Sequence, residues 1–247
     1  MVRPKTEELN LLKFRIMKNI YILVIVMLSS FTIVAQECNA ALFLKKGNVL
    51  EYTSFDKKGK ALSKASHETL SIEEEGDKLT ALIKVVSEDI KGKDSFSSEY
   101  EASCVDGVFS VDMARFFDMS KLQQYNADDY SVEMDGDILE FPTGMNAGDA
   151  LNDGTITVKV NKEDFTLVTM IMNITNRKVH PNETITTKAG SFDCQKVTYD
   201  FDSKFGFIKV RGSGIEWYDK DKVIVRTQSF SKNGKLVASS DLTEMKE

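Results

Sequence analysis

The two histidines have the widest scope for chemistry in this chain, because histidine can act as a general base or a metal ligand. His67 falls inside a predicted strand, and His180 precedes Pro181 in a predicted turn. A zinc site needs ligands at short spacings such as His-Glu-x-x-His, and neither histidine has a second ligand at such a spacing. The sequence therefore predicts two solvated histidines and no metal site.

Other catalytic patterns are equally weak. The glycine-rich segment Arg211–Gly214 leads into a strand-like segment rather than a helix, which predicts a turn and not a nucleotide-binding loop. Acidic pairs such as Asp128-Asp129 fall in loop-like surroundings, whereas a glycosidase needs two carboxylates placed across a cleft. We therefore expect a protein with no cofactor and no enzymatic activity, and we keep a carboxylate-dependent hydrolase as the third functional alternative.

Four aromatic residues are the candidates for ligand binding: Phe116, Phe117, Trp217 and Tyr218. Trp217 is the only tryptophan, and exposed Trp and Tyr side chains can stack on a sugar ring or anchor a partner. The competing interpretation places Trp217 in a core strand, where it shares one face with Ile215. The sequence favours the core strand.

The three cysteines, Cys38, Cys104 and Cys194, allow at most one intramolecular disulfide and leave one thiol over. Cys38 lies in an N-terminal tail that nothing else tethers, so a bridge from it would stabilise the domain. Cys38 and Cys104 are therefore the disulfide candidate. The alternative is that all three thiols are simply buried or reduced.

An uncharged segment, Ile20–Val34, follows Lys18 and ends at Ala35. A basic flank, a short apolar core and a small residue at its exit are typical of a secretory signal peptide. A membrane-spanning helix would need roughly 20 apolar residues. We therefore expect a signal peptide at residues 17–35, export to the periplasm or the exterior, and no membrane span after cleavage.

The predicted signal peptide divides the chain into three parts. Residues 1–16 are interpreted as a start codon assigned too early or a leader extension, and residues 36–247 as a single β-rich domain. A lipid anchor at Cys38 is disfavoured, because Gln36-Glu37 precede it instead of small residues.

The charge balance limits the partners. The whole chain has a formal net charge of −6, and removal of residues 1–35 takes away five basic and only two acidic residues. An acidic domain with scattered charges is poorly suited to bind nucleic acid or an anionic membrane surface. We therefore expect no nucleic-acid partner, and we leave the oligomeric state open.

From Asn48 onward, alternating or β-branched runs are separated by Gly, Asn or Asp turns, which predicts antiparallel strands. The turns at residues 57–60 and 232–235 suit tight hairpins with glycine at positive φ, as do the Gly76, Gly107 and Gly136 turns. The hairpins at 57–60 and 232–235 also look alike, which we attribute to convergent turn chemistry.

One segment breaks the β pattern. Asp112 can cap a helix that ends near Gln124, with Phe116 and Phe117 on its apolar face. The strand Phe165–Ile174 is apolar on both faces and needs a cover on its second side. We expect the helix to provide that cover, with Phe116 packed on the inner sheet face; a lid over an apolar ligand is the alternative.

Several phrases carry a resemblance to a known family. Tyr52–Lys60, Ser103–Met113, Lys188–Thr198, Ile215–Tyr218 and Val225–Lys235 resemble secreted bacterial envelope proteins grouped as TapB-like, which contain a domain of unknown function. The resemblance covers nearly all of residues 38–245 and consists of turn and strand phrases. It implies a curved, largely antiparallel sheet and an exported location, and it implies no catalytic residues.

Together these observations predict a mainly β fold, a strongly curved antiparallel sheet in the form of an open or partial barrel, with one short helix packed on it. The leading function is a non-enzymatic envelope protein that binds or scaffolds another component, so the partner would be an envelope protein. The second alternative is a half-barrel carrier whose partner is an apolar, lipid-like small molecule.

Overall fold

The computed structural model describes residues 43–92, 95–116, 130–142 and 144–246. Most of these residues lie in strands, as the regular alternation of the sequence predicts. The strands are β1 (Val49–Asp56), β2 (Ala61–Glu75), β3 (Lys78–Asp89), β4 (Ser95–Val105), β5 (Val108–Asp112), β6 (Tyr130–Gly136), β7 (Ile138–Pro142), β8 (Gly154–Lys162), β9 (Phe165–Thr187), β10 (Gly190–Phe205), β11 (Ile208–Tyr218), β12 (Ile224–Ser231) and β13 (Leu236–Lys246).

The thirteen strands of the described residues form one antiparallel sheet in the order β6-β8-β9-β10-β11-β12-β13-β1-β2-β3-β4-β5-β7. The two edge strands, β6 and β7, are consecutive in the chain and are joined by Asp137. The Asp137 N–H donates to the carbonyl oxygen of Thr155 on β8 (2.9 Å), and the Asp137 carbonyl accepts from the N–H of Met113 (3.4 Å). The sheet therefore curls into a nearly closed barrel. The prediction of a mainly β, strongly curved antiparallel sheet is confirmed.

The hairpins at residues 57–60 and 232–235 have the same geometry. In both, the N–H of the residue before the turn donates to the carbonyl oxygen of the closing lysine (2.9 Å). Gly59 and Gly234 have φ values of +77° and +71°, a left-handed conformation that glycine adopts without steric cost. The predicted tight turns are confirmed here.

The predicted hairpin at Gly136 is wrong. Gly136 is the last residue of β6, and the next strand, β7, lies at the opposite edge of the sheet. Its φ is not positive, unlike those of Gly76 (+61°) and Gly107 (+77°). The chain crosses here between the two edges that nearly close the barrel, instead of reversing onto a neighbouring strand.

The segment Arg211–Gly214 is a second correction, because it lies within β11 and is not a turn. Gly212 pairs with Phe201 and Gly214 pairs with Tyr199 on β10. A Cβ added at Gly214 would lie 2.2 Å from Cζ of Tyr199, so the aromatic ring occupies the space above the glycine. Glycine weakens a strand by itself, and cross-strand aromatic packing compensates for it.

The core fills the inside of the barrel. In β8, Ile156, Val158 and Val160 are fully buried while Thr155 and Lys159 are exposed, as their alternation predicts. A second, smaller apolar cluster lies on the other face of the sheet and comprises Ile185, Cys194, Trp217 and Val225, with Phe192 and Ile215 packed against it.

The predicted helix appears as a single 3₁₀ turn, Met113–Phe116. Asp112 caps it as expected, since its Oδ1 accepts a hydrogen bond from the N–H of Ala114 (2.7 Å). The remainder of the predicted helix, residues 117–124, lies outside the described residues. Among those that are described, no helix has the length and apolar character to cross a membrane.

Candidate functional site

The prediction that both histidines are solvated is wrong for His67. Its ring lies between Tyr52 and Tyr100, with centroid distances of 4.9 and 5.9 Å, and its Nδ1 is 3.1 Å from the Tyr100 hydroxyl. Burial and, to a smaller extent, the positive charge of Arg115 lower the pKa of His67 to about 4. His67 is therefore neutral at physiological pH and belongs to the barrel interior.

His180 does not lie in a turn either. It is in the middle of β9, where its Nε2 is 2.8 Å from Oγ1 of Thr198 on β10. The register between β9 and β10 shifts beside Pro181. Proline has no N–H for the ladder and is accommodated at such irregularities, which explains why the strand continues through it.

A buried ion pair connects the 3₁₀ turn to β11. Nη2 of Arg115 donates to both carboxylate oxygens of Glu216, at 3.0 and 3.3 Å, and to the Tyr218 hydroxyl at 3.1 Å. The Tyr218 hydroxyl donates in turn to Glu216. Burial alone lowers the pKa of Arg115, but the Glu216 carboxylate and Tyr218 outweigh it and raise that pKa above its ordinary value.

This interior cluster is suited to holding the barrel together. Burial raises the pKa of Tyr52, Tyr100 and Tyr218 above the ordinary value, so these phenols stay protonated. The oxygens of Glu216 are occupied by Arg115 and Tyr218. General acid–base chemistry needs a group that can exchange a proton near neutral pH, and this cluster gives the hydrolase alternative no support. Among the described residues, no group of three or more His, Cys, Asp or Glu side chains could hold a metal.

Of the aromatic ligand candidates that the structure describes, Trp217 and Tyr218 are buried and Phe116 is half-buried. Trp217 packs in the smaller cluster, with its Nε1 donating to Glu183 (3.0 Å), and Tyr218 faces the main core on the opposite side of β11. Phe116 is half-buried and meets Tyr199 of β10 edge-on at 6.2 Å between ring centroids. It therefore packs on the inner sheet face one strand away from the expected β9. Phe117 lies outside the described residues.

The cysteines are partly described. Cys194 is free and buried, and burial raises its pKa to about 12, with Asp219 contributing. Cys104 is buried and takes part in a disulfide. Cys38 lies outside the described residues, so the pairing of Cys104 with Cys38 stays a prediction.

Three neighbouring hairpins at one end of the barrel form a lysine-rich surface, which we call the basic rim. It consists of residues 57–60, 204–209 and 232–235, and the six strands β10, β11, β12, β13, β1 and β2 that these turns join are consecutive in the sheet. The basic rim contains seven exposed lysines and no Asp or Glu: Lys57, Lys58, Lys60, Lys204, Lys209, Lys232 and Lys235. This is a concentrated positive charge on a chain with net charge −6.

Apolar side chains are exposed at the same place. Phe207, at the β10–β11 turn, is fully exposed, and Phe205, Ile208 and Val210 are 44%, 63% and 52% exposed. Leu167 on the adjoining β9 is 50% exposed and borders the same groove as Phe205 and Ile208. Clustered exposed apolar side chains mark interaction surfaces in soluble domains.

This surface was not predicted from the sequence. The turn at Gly206-Phe207 gave no strong signal, and the lysines of each hairpin read as ordinary turn residues. The signal that could have found the basic rim is the similarity of the 57–60 and 232–235 hairpins, which the barrel places two strands apart at one end.

Two solved structures are similar to this chain. One is a protein from Bacteroides fragilis NCTC 9343, predicted to be exported and with a YmcC-like fold; it has a TM-score of 0.68 and 25% identity over 82% of this chain and 97% of that one. The other is a predicted lipoprotein from Parabacteroides distasonis ATCC 8503, with a TM-score of 0.71 and 22% identity over 85% of this chain and 100% of that one. One is described as exported and the other as a lipoprotein, in agreement with the expected envelope location.

No curated protein matches this sequence. The name TapB-like is not confirmed, whereas the broader resemblance to exported bacterial proteins with a domain of unknown function is. A family model described as DUF3108-like matches residues 45–242, which is most of the chain. This protein therefore belongs to the DUF3108-like family.

Proposed function

We propose that this protein is an exported, non-enzymatic binding module of the bacterial envelope, and that the basic rim with its exposed apolar side chains is its contact surface. The observation that carries the proposal is the concentration of seven exposed lysines at the ends of three adjacent hairpins, where they outnumber the flanking acids Asp56 and Asp202. The exposed side chains of Phe207 and Ile208 lie within the same surface.

Exposed like charges held close together repel one another and reduce stability. Exposed apolar side chains add no stability to the isolated domain. A surface that combines both features is therefore better explained by a partner than by folding.

The carrier alternative receives less support from the interior. Many side chains that face the inside of the barrel are exposed by 1% or less, among them Ile83, Leu139, Phe141, Ile156 and Tyr218. Packed interiors of this kind are filled by the chain itself. Recovery of a lipid in a native mass measurement after gentle purification would favour the carrier over the binding module.

Export is supported by the leader-like segment at residues 17–35 and by the two similar structures, which are described as predicted to be exported and as a predicted lipoprotein. We expect the released protein to begin at or near Gln36. Intact Met1 in a membrane fraction would contradict both the signal peptide and the cleavage site.

The contact surface can be tested with the processed protein, purified from a host that exports it. This protein is added to isolated envelope fragments. We expect it to sediment with the fragments and the double variant Lys204→Gln/Lys209→Gln to stay largely in solution. The matched control is Lys188→Gln/Lys220→Gln, two exposed lysines in turns at the other end of the barrel. Equal sedimentation of the two variants would refute the basic rim as the contact surface.

A further inference from the structure

We propose that the partner of the basic rim is an anionic lipid surface, into which the end of the β10–β11 hairpin inserts. This inference rests on the proposed binding function and names the chemistry of what is bound. It is carried by the pairing of charges, by the distribution of apolar side chains over the hairpin, and by the short range of electrostatic forces in salt.

Two lysines face each other across the hairpin. Lys204 on β10 is the direct register partner of Lys209 on β11. Like charges placed directly opposite each other in an antiparallel pair are destabilising. An anionic surface removes that cost, because both ammonium groups then gain an attractive neighbour.

Apolar side chains form the end of the hairpin. Phe205 and Ile208 are register partners on the face that points into the barrel further along, and Leu167 of the adjoining β9 borders the same groove. Phe207 stands at the turn, fully exposed. The Lys204–Lys209 pair, one position back, points to the opposite face. A flat protein partner would cover one of these faces only, whereas a lipid surface surrounds an inserted tip on all sides, so this distribution favours lipid.

The spacing along the strands matches the layers of a lipid surface. The Lys204–Lys209 pair is one position behind the Phe205–Ile208 pair, about 3.3 Å along the strand. Interfacial segments bury apolar side chains below the headgroups while Lys side chains extend to the phosphates. The hairpin has the same order, with apolar side chains at its tip and the two lysines one position behind them.

The acidic net charge of the chain does not oppose this. Surface charges are screened over about 8–10 Å at physiological ionic strength, so a membrane responds to the nearby charges and not to the sum. Asp202, next to the basic rim, pairs with Arg211. The other flanking acids are fewer than the seven lysines, so the end stays positive: Asp56, whose Oδ1 accepts from the N–H groups of Lys58 and Lys60, and Glu163 and Asp164 of the adjoining turn. From the sequence we expected no contact with an anionic membrane, because that expectation used the net charge of the whole domain and not the local charge of the basic rim.

Binding is measured by flotation with vesicles of phosphatidylethanolamine and phosphatidylglycerol, and with vesicles of phosphatidylcholine alone. We expect binding to the first kind, loss of binding at molar salt, and little binding to the second. Lys204→Gln/Lys209→Gln should weaken binding about tenfold or more, since each lysine near an anionic surface contributes substantially. The control Lys188→Gln/Lys220→Gln should leave it unchanged.

The apolar part has its own matched pair. Phe207→Ser/Ile208→Ser should abolish flotation, while Val105→Ser/Ile138→Ser, at two apolar positions also exposed but far from the basic rim, should not. A thermal melt of each variant establishes that the barrel is intact.

Insertion is read from tryptophan fluorescence. Trp217 is buried, so in the unmodified protein brominated lipid chains should leave its emission unchanged. With Phe207→Trp, the added emission should be quenched by brominated phosphatidylglycerol vesicles.

Each remaining outcome overturns the inference. Equal binding to phosphatidylcholine would refute the role of anionic lipid, and unquenched emission from Phe207→Trp would refute insertion. If no vesicle is bound while envelope fragments still bind through Lys204 and Lys209, the partner is a protein or another polymer, and the proposed function survives without the lipid.

Discussion

Arg115 and Glu216, 101 residues apart in the chain, form an ion pair inside the barrel, in which Nη2 of Arg115 lies 3.0 and 3.3 Å from the two carboxylate oxygens. Arg115 belongs to the 3₁₀ turn that follows β5, close to one edge of the sheet, and Glu216 to the central strand β11. The pair therefore connects the edge of the sheet, where the barrel nearly closes, to a central strand. The guanidinium also lies 4.4 Å from the centre of the Phe116 ring, which fixes that side chain against the sheet.

Removing one partner of this pair should be costly. Glu216→Gln leaves the Arg115 charge buried without its counter-charge, and such changes cost about 3–5 kcal/mol of unfolding free energy. Denaturant titration measures the loss. The control is Glu51→Gln, which breaks the exposed pair with Lys246 and should cost less than about 1 kcal/mol. Equal losses in the two variants would show that the buried pair has no special role.

Acidification should destabilise the protein through His67. Its pKa is about 4 in the folded protein and near 6.5 when unfolded, so between these values the unfolded state binds the extra proton. Stability therefore falls as the pH decreases through this window, by up to about 3 kcal/mol. His67→Phe keeps a ring between Tyr52 and Tyr100 but cannot titrate. We expect its unfolding free energy to fall less between pH 7 and pH 4.5 than that of the unchanged protein.

Asp219 should oppose this trend. Burial raises its pKa from 3.8 to about 6, with Asp221 contributing, so the folded state binds the extra proton between these values. Stability from this group rises as the pH decreases through the window. Asp219→Asn should therefore steepen the loss of stability on acidification, because the opposing contribution of Asp219 is removed. Parallel pH profiles for all three proteins would contradict both assignments.

Gly212 should not tolerate a side chain. An added Cβ would lie 2.1 Å from the carbonyl oxygen of Phe230 and 2.6 Å from Cζ of Phe201, so both the backbone and a core ring would have to move. We expect Gly212→Ala to lower the unfolding free energy by about 1–3 kcal/mol or more, as overpacking does. Ser213→Ala, on the next residue and the outer face, should change it by less than about 0.5 kcal/mol. A neutral Gly212→Ala would contradict the close packing.

The cysteines can be counted chemically. In denaturant without reductant we expect one reactive thiol, Cys194, and after reduction three. Peptide mapping should recover Cys38 linked to Cys104, a bridge that closes a loop of about 66 residues and is worth about 2–4 kcal/mol. Three reactive thiols before reduction would exclude the bridge. In the native protein Cys194 should resist labelling, because its pKa of about 12 leaves almost no thiolate.

The sheet could be predicted from the sequence because its information is local. The alternation of Ile156, Val158 and Val160 with polar neighbours assigns β8 and its buried face, and the Gly59 and Gly234 turns assign two hairpins. Each of these signals depends on side chains a few residues apart and on the steric freedom of glycine at positive φ.

The interior cluster could not be predicted in the same way. His67 and Arg115 carry no local mark of burial, and charged or polar residues are normally solvated. They are buried because β2, β4, β11 and the 3₁₀ turn converge in the barrel and supply partners such as Tyr100 and Glu216. Only the closed arrangement of distant strands provides these contacts.

The sequence by itself determined the antiparallel class, most strand positions and the acidic net charge. It did not determine which turns share an end of the barrel. If Arg211–Gly214 were a turn, there would be one more strand between the β10–β11 and β12–β13 hairpins. In an antiparallel sheet each strand reverses the chain direction, so one extra strand would place the β12–β13 turn at the opposite end of the barrel. The tertiary structure removes that strand, because the rings of Phe201 and Tyr199 stabilise Gly212 and Gly214 in extended conformation. The lysines of both hairpins then meet in the basic rim, which is a property of the folded barrel and not of any local segment.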